Sequence, residues 1–337
     1  MPMRAPSACL ALLLLAVPAA AVAKSAQAPA ASPKTYKADP GPAIVTATLA
    51  DWRDESRSRP VPVKIYAPAT GEGPFPVIVF SHGLGGSREG YEYLGRHWAS
   101  WGYVSVHVEH LGSDTAALKK GGRLLKNLRE AAGDPHNAIA RPLDVRFVLD
   151  RLEKLNQGGL PLLSHRLDLT RIGMAGHSFG AWTTMAVAGQ SVGQETSLAD
   201  PRIKAAVAMS APAPRQRDYD RVYRKVHVPI LHMTGTEDDS PIGDTKAAER
   251  RIPYDHIQGV DQYLVTFQGG DHMIFSGRRI LEADRPKDPL FHSLILQGTT
   301  AFWDAYLKGD AAAKAWLANG GYAAALGKDG KLEEKTK

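Results

Sequence analysis

Gly176-His177-Ser178-Phe179-Gly180 sets a serine between two glycines where a short apolar run gives way to a helical stretch. A serine hydroxyl is a weak nucleophile until a neighbouring base takes its proton. Two later stretches hold the groups such a serine needs. Residues 269–272, Gly-Gly-Asp-His, bring an imidazole, and residues 235–239, Gly-Thr-Glu-Asp-Asp, bring three adjacent acids. These are the ingredients of acyl transfer: a nucleophile, a base that later serves as acid, and a carboxylate that orients the base.

The elements that must position the serine can be read around it. Residues 172–175 follow a polar turn at 168–171 and read as a buried strand. Residues 181–188 are good helix formers with small residues on the packing side. A strand that reverses into a helix within a few residues folds back on itself. Glycines two before and two after Ser178 remove the Cβ atoms that would collide there. Ser178 then sits at the apex, with its backbone at the positive end of a new helix. This arrangement resembles the nucleophile elbow of the α/β-hydrolases, in which an acid and then a histidine follow the serine along the chain.

His272 fits the base: among 12 histidines it combines a glycine turn with a place after the last expected strand. The acid is less sharply specified. Strand alternation puts Glu237 and Asp239 on one side and Asp238 on the other, and the G-x-x-D spacing from Gly235 selects Asp238, with Asp239 as the alternative. An oxyanion hole needs two backbone N–H groups aimed at the developing charge. One is expected from Phe179, the residue after the nucleophile. The other is expected from Leu84, in the loop Ser81-His82-Gly83-Leu84-Gly85-Gly86, whose glycines let backbone approach a substrate. His82, Gly83, His177 and His110 are candidate substrate contacts, and His110 reads equally well as a plain loop histidine. His107, His110 and Asp114 lack the compact spacing of a metal site, so no metal is expected.

The wider chain alternates strands and helices. Strands are expected at 44–49, 61–66, 76–80, 103–108, 203–209, 229–233 and, last, 262–267. Residues 51–59 read as a charged hairpin turn, and Pro60 and Pro62 point to an edge position. Residues 85–88 lead into a helix expected to run to about Trp101, and further helices are expected at 138–155 and 289–307, the first of these through Ile139, Leu143, Phe147 and Leu152. Residues 111–135 carry interrupted helical patterning and suit a wall or flap over the site. Only about twenty residues join the 203–209 and 229–233 strands, so no large lid is expected there. The fold class is α/β, an α/β-hydrolase fold with a mostly parallel central sheet and helices on both faces. The site belongs at the carboxyl ends of the strands.

With 337 residues, 44% of them hydrophobic, the chain can build one large domain, expected at 43–327. Ahead of it, Arg4, the apolar run at 10–17 and Ala21-Val22-Ala23 read as a signal peptide over 1–23. Residues 24–42 read as a flexible leader and 328–337 as a frayed charged tail. This address predicts export to the periplasm or the medium, with no stable membrane anchor after cleavage. Cleavage also removes Cys9, the one cysteine, and with it any thiol nucleophile. The net charge of +6 is scattered. Its densest patch, residues 121–129, lacks interleaved aromatics and reads as a solvated helix, not a nucleic-acid surface.

Residues 81–88 (SHGLGGSR), 141–146 (RPLDVR), 176–180 (GHSFG) and 235–243 (GTEDDSPIG) resemble the predicted dienelactone-hydrolase and platelet-activating-factor-acetylhydrolase-like branch of the α/β-hydrolases. The resemblance implies a serine hydrolase acting on small-molecule or polymeric carboxylic esters without a metal or organic cofactor. Dienelactone hydrolases proper use a cysteine where this chain has Ser178, which weakens lactones as the inherited substrate. Two rival expectations stand beside ester hydrolysis. One is amide or peptide hydrolysis by the same groups. The other is a non-catalytic binding protein on the same scaffold, which would be expected to have lost one of them.

Overall fold

The computed structural model describes residues 1–3, 35–119, 121, 123–193, 196–277 and 286–337. The expected signal segment beyond Met3, and the expected leader as far as residue 34, lie outside the described residues. The fold below belongs to the unit Pro33–Lys337.

In chain order its elements are β1 Val45–Asp54, β2 Arg59–Pro68, β3 Phe75–Ser81, α1 Glu92–Ser100, β4 Val104–Val108, α2 Thr115–Leu118, α3 Leu124–Gly133, α4 Pro135–Gln157, β5 Leu167–His177 and α5 Phe179–Ala188. A small ribbon follows, β6 Ser191–Val192 with β7 Thr196–Ser197, and then β8 Ile203–Met209, α6 Tyr219–Tyr223, β9 Ile230–Glu237, α7 Ile252–His256 and β10 Gln262–Asp271. The chain closes with α8 Asp288–Leu307, α9 Ala311–Ala318, α10 Gly321–Leu326 and β11 Gly330–Lys335.

Nine of these strands form one sheet in the order β1-β2-β4-β3-β5-β8-β9-β10-β11. From β4 through β10 every pairing is parallel, whereas β1, β2 and β11 are held antiparallel. Parallel strands need both faces covered, and their sequences are accordingly apolar on both sides. On β3, Ile78 and Phe80 pack with Trp98 of α1 and Trp303 of α8, while Val77 and Val79 pack with Val148 and Leu152 of α4. Ala181 and Met185 of α5 pack with Tyr223 of α6 over β8 and β9. This is the α/β-hydrolase architecture, and β8 and β9 are joined through α6 alone.

Several expectations are corrected. Pro60 and Pro62 do not mark an edge, because β2 lies between β1 and β4. They are tolerated because β4 pairs only from Val63 onward, and beside it Pro62 contributes its carbonyl, which accepts from the Glu109 amide at 2.9 Å. The expected frayed tail is the ninth strand. One apolar residue in six hides it, yet Leu332 packs on the core, Arg251 pairs with Glu333 at 3.3 Å, and Lys335 Nζ donates to the Tyr254 carbonyl at 2.6 Å. The last part of the expected leader is docked too: Tyr36 is buried, and its hydroxyl donates to Asp304 Oδ2 at 2.9 Å. The helix expected after residues 85–88 begins at Glu92. On α4, Ile139 is exposed while Arg141 and Asp144 lie fully buried, so the buried stripe carries charge.

Between β5 and α5 the two glycines do what the sequence requires of them. A Cβ on Gly176 would stand 2.3 Å from the Gly180 carbonyl oxygen, and one on Gly180 would stand 1.9 Å from that of Ser81. Gly180→Ala is therefore expected to destabilise the protein by at least about 2 kcal/mol, or to prevent folding. Gly133→Ala, on open space in α3, is expected to be neutral or stabilising by about 0.5–1 kcal/mol. Chemical denaturation of the two variants compares them directly.

The core also holds histidines that burial keeps neutral. Burial pushes His97, His110 and His232 down to about 4 and His107 to about 3. Their folded values lie below the unfolded one near 6.5, so between those values the unfolded chain binds more protons. Stability is therefore full above about pH 6.5 and declines as pH falls, by about 1 kcal/mol per pH unit for each site until its folded value is passed. Unfolding midpoints measured from pH 8 to pH 4 should fall steeply below pH 6.5. A flat profile down to pH 4.5 would contradict neutral burial.

Candidate active site

Ser178 closes β5 and caps α5, with φ 57° and ψ −117°. A non-glycine residue in the left-handed region is strained, and here surrounding structure imposes it. The Ser178 amide donates to the Met209 carbonyl at 2.9 Å, which ties the apex to the end of β8. With the backbone so fixed, the half-buried hydroxyl meets His272 Nε2 at 2.9 Å.

His272 enters from the sheet's next rim. The pairing of β10 with β9 breaks register between Phe267 and Asp271, at Gly269 with φ 75°, whose amide donates to Thr236 Oγ1. A Cβ on Gly235 would lie 2.0 Å from the Gly270 carbonyl oxygen, so the ends of β9 and β10 also meet backbone to backbone. A 3-10 turn, His272–Phe275, follows, its first amides capped by Asp271, which accepts from Met273 N at 2.8 Å.

Of the three adjacent acids, Asp238 points inward. It is fully buried, and its Oδ1 lies 2.7 Å from His272 Nδ1. Oδ2 accepts from Ser210 Oγ at 2.5 Å and Thr234 Oγ1 at 2.8 Å. Arg250, also buried, donates from Nε to the Asp238 carbonyl and from Nη1 to the Ser210 carbonyl, and its Nη2 pairs with Oδ1 at 3.4 Å. Asp239 instead turns to solvent. The Ala247 amide and Lys246 hold its carboxyl below the usual range. Glu237 is exposed at the end of β9.

The expected oxyanion donors lie on two elements, the start of α5 and the loop after β3. Phe179 is the first residue of α5, and a helix leaves its first amides without intrahelical partners. In the loop after β3, the amides of Gly83, Gly85 and Gly86 go to Tyr91 Oη, the Ser113 carbonyl and the Gly83 carbonyl. No hydrogen bond to the Leu84 amide is found among the described residues.

The histidines expected to touch substrate are placed differently. His82 is buried, with Nδ1 2.7 Å from the Gly83 carbonyl and Nε2 accepting from the His110 amide. His110 is fully buried between Ser81 Oγ at 2.9 Å and Asp144 Oδ2 at 3.0 Å. His177 is buried as well, and its Nε2 donates to the His272 carbonyl at 2.9 Å while Nδ1 accepts from the Tyr91 hydroxyl at 2.8 Å. Burial, reinforced by His272 and Arg250, keeps His177 neutral, as that bonding pattern demands. These three rings therefore serve as internal struts. Gly83 is a strut too: its amide meets Tyr91 Oη at 3.3 Å, so one relay joins the β3 loop to the backbone of His272.

Sequence reasoning missed Tyr91, Ser210, Thr234 and Arg250, and it did not give Arg141 and Asp144 a place near the site. A signal existed for the last two. They share the helical face of Val145, Val148 and Leu152, and a charge in an apolar stripe is buried and paired. Tyr91, Ser210 and Arg250 sit at turns or caps and Thr234 within β9, with no distinguishing pattern.

Two family profiles match the chain. Platelet-activating factor acetylhydrolase, isoform II, matches over residues 55–122, and Serine hydrolase (FSH1) matches over residues 169–274. The first covers β2, β3 and its loop, α1 and β4, and the second covers the elbow through His272. A platelet-activating factor acetylhydrolase of Bos taurus is 26% identical over 241 residues, which is 61% of this chain and 49% of that protein. One of Cavia porcellus is 26% identical over 220 residues, covering 56% and 46% respectively. The chain thus spans about half the length of these relatives. A nine-stranded, mostly parallel sheet with helices on both faces, joined to these two profiles, makes the chain an α/β-hydrolase similar to the platelet-activating-factor-acetylhydrolase branch.

Proposed function

We propose that the protein hydrolyses carboxylic esters through an acyl-enzyme on Ser178. The observation that carries this reading is the hydrogen-bonded line Ser178 Oγ–His272 Nε2, His272 Nδ1–Asp238 Oδ1, at 2.9 and 2.7 Å. Asp238 holds the imidazole in the tautomer whose Nε2 accepts the serine proton. Ser178 Oγ attacks the acyl carbon as its proton passes to His272, and the carbonyl oxygen becomes an oxyanion facing the amides of Leu84 and Phe179. The bond to the alcohol breaks as His272 returns the proton to it. Water then repeats the sequence and releases the acid. Kinship with acetylhydrolases favours a short acyl group, and the short β8–β9 connection favours a mouth without a large lid.

The test compares the protein with Ser178→Ala, Asp238→Asn and Asp239→Asn on 4-nitrophenyl esters from acetate to palmitate and on a matching anilide. Ser178→Ala should lose roughly 10⁴-fold or more of kcat and Asp238→Asn roughly 10³–10⁴-fold. Asp239→Asn should stay within about threefold, as expected of an exposed surface pair. Activity surviving in Ser178→Ala would refute the nucleophile. Cleavage of the anilide alone would move the protein to amide hydrolysis.

Export is part of the same reading, supported by the charged start, apolar run and small-x-small site within residues 1–23. Protein recovered from the periplasm of a Gram-negative host should begin at Lys24 on N-terminal sequencing. Full-length chain retained in the cytoplasm would refute it.

A further inference from the structure

We infer that Arg141 is a positioning residue for the oxyanion hole, holding both of its walls from behind. The inference rests on the ester-hydrolase reading above and extends it to a side chain that touches neither substrate nor triad. The Arg141 guanidinium is fully buried, and Nη2 donates both to the His82 carbonyl and to Ser81 Oγ, the latter at 3.0 Å. That carbonyl belongs to the peptide two residues ahead of Leu84. On the other wall, the guanidinium carbon stands 4.5 Å from the centre of the Phe179 ring. Its Nε donates to Thr183 Oγ1 at 2.9 Å, and that hydroxyl donates in turn to the Phe179 carbonyl at 3.0 Å. One planar cation therefore fixes the segment that presents each amide.

A second line of groups fixes the cation. Ser81, His110 and Asp144 repeat the types found at Ser178, His272 and Asp238, yet all three are fully buried, so no substrate reaches them. Their hydrogen bonds have one consistent direction. The Asp144 carboxylate only accepts, so His110 Nδ1 carries the proton and His110 Nε2 accepts from the Ser81 hydroxyl. The Ser81 oxygen is then left to accept from Arg141. This pattern needs a neutral His110, and burial, aided by the Arg141 charge, pushes that ring down to about 4. Arg59 and Arg57 balance Asp144 from the outer side at 2.8 and 2.9 Å. A buried cation carries a desolvation cost that a well-packed apolar side chain would avoid. What the guanidinium supplies in return is direction, through coplanar N–H groups that reach Thr183, Ser81, the His82 carbonyl and, from Nη1, Ser113 Oγ at 2.8 Å.

Arg141→Lys and Ser81→Ala test this on an oxoester and its thionoester. Sulfur accepts hydrogen bonds poorly, so the ratio of the two rates reports the oxyanion donors and is blind to partial loss of folded protein. Arg141→Lys should lower kcat on the oxoester by about 10- to 100-fold with KM within about threefold. The oxoester-to-thionoester ratio should fall alongside kcat. Ser81→Ala should move the ratio the same way by less, and it carries the test if Arg141→Lys does not fold. An unchanged ratio, even with reduced activity, would assign Arg141 to stability alone and overturn the inference. Ester turnover in the parent protein that survives Ser178→Ala would overturn the reading beneath it, whatever Arg141 does.

Discussion

The contact between Gly180 and the carbonyl of Ser81 is the constraint on which the rest of the site depends. With 1.9 Å between that oxygen and any Cβ on residue 180, the end of β3 and the start of α5 meet as bare backbone. This close approach brings the loop after β3 beside the first turn of α5, where the proposed oxyanion donors lie. It also forces the chain to turn within a single residue, which is why Ser178 sits in the left-handed region. The end of β9 repeats the device against β10 through Gly235 and Gly270. The geometry at the rim is thus fixed by steric exclusion between backbones, and side chains are placed on a frame that is already stiff.

Around that frame the charges are arranged in two buried clusters, each with an arginine against an aspartate-histidine-serine line. Asp238 is satisfied by two hydroxyls, one imidazole and Arg250, so its carboxyl group is held in one orientation before any substrate arrives. Asp144 is satisfied by His110, Arg57 and Arg59, with burial opposing its ionised form and the hydrogen bonds prevailing. Groups oriented in advance in a water-poor setting need little reorganisation when charge develops nearby. The Tyr91–His177 relay joins the two halves, since it links the Gly83 amide to the His272 carbonyl through neutral groups alone.

Much of this was legible in the sequence, and the reason differs from residue to residue. Ser178 was legible because a tight strand-to-helix reversal leaves a glycine signature, and His272 because a glycine turn places it. Asp238 was preferred to Asp239 only by its G-x-x-D spacing from Gly235, since strand alternation left the choice open. The difference between them lies in the hydroxyls of Ser210 and Thr234, which the chain brings in from β8 and β9. The histidines at 82, 110 and 177 were candidate substrate contacts, yet the rings of His82 and His177 go to the Gly83 and His272 carbonyls and that of His110 to Ser81 and Asp144. The parallel core was legible from its apolar runs. The outer strand β11 was not, because a strand with one core-facing residue has no alternation to detect.

The two outermost strands have a consequence for how copies of the protein meet. An open sheet presents unpaired amides and carbonyls at each margin, and another extended chain can add there. Here the margins are β1 and β11, both antiparallel to their neighbours and studded with charge, including Asp51, Arg53 and Asp54 on one and Lys331, Glu333, Glu334 and Lys335 on the other. A strand docking at either side would have to bury or pair those ions. The apolar parallel strands, which would be the most adhesive part of the molecule if bared, are thereby sheathed against edge-to-edge aggregation.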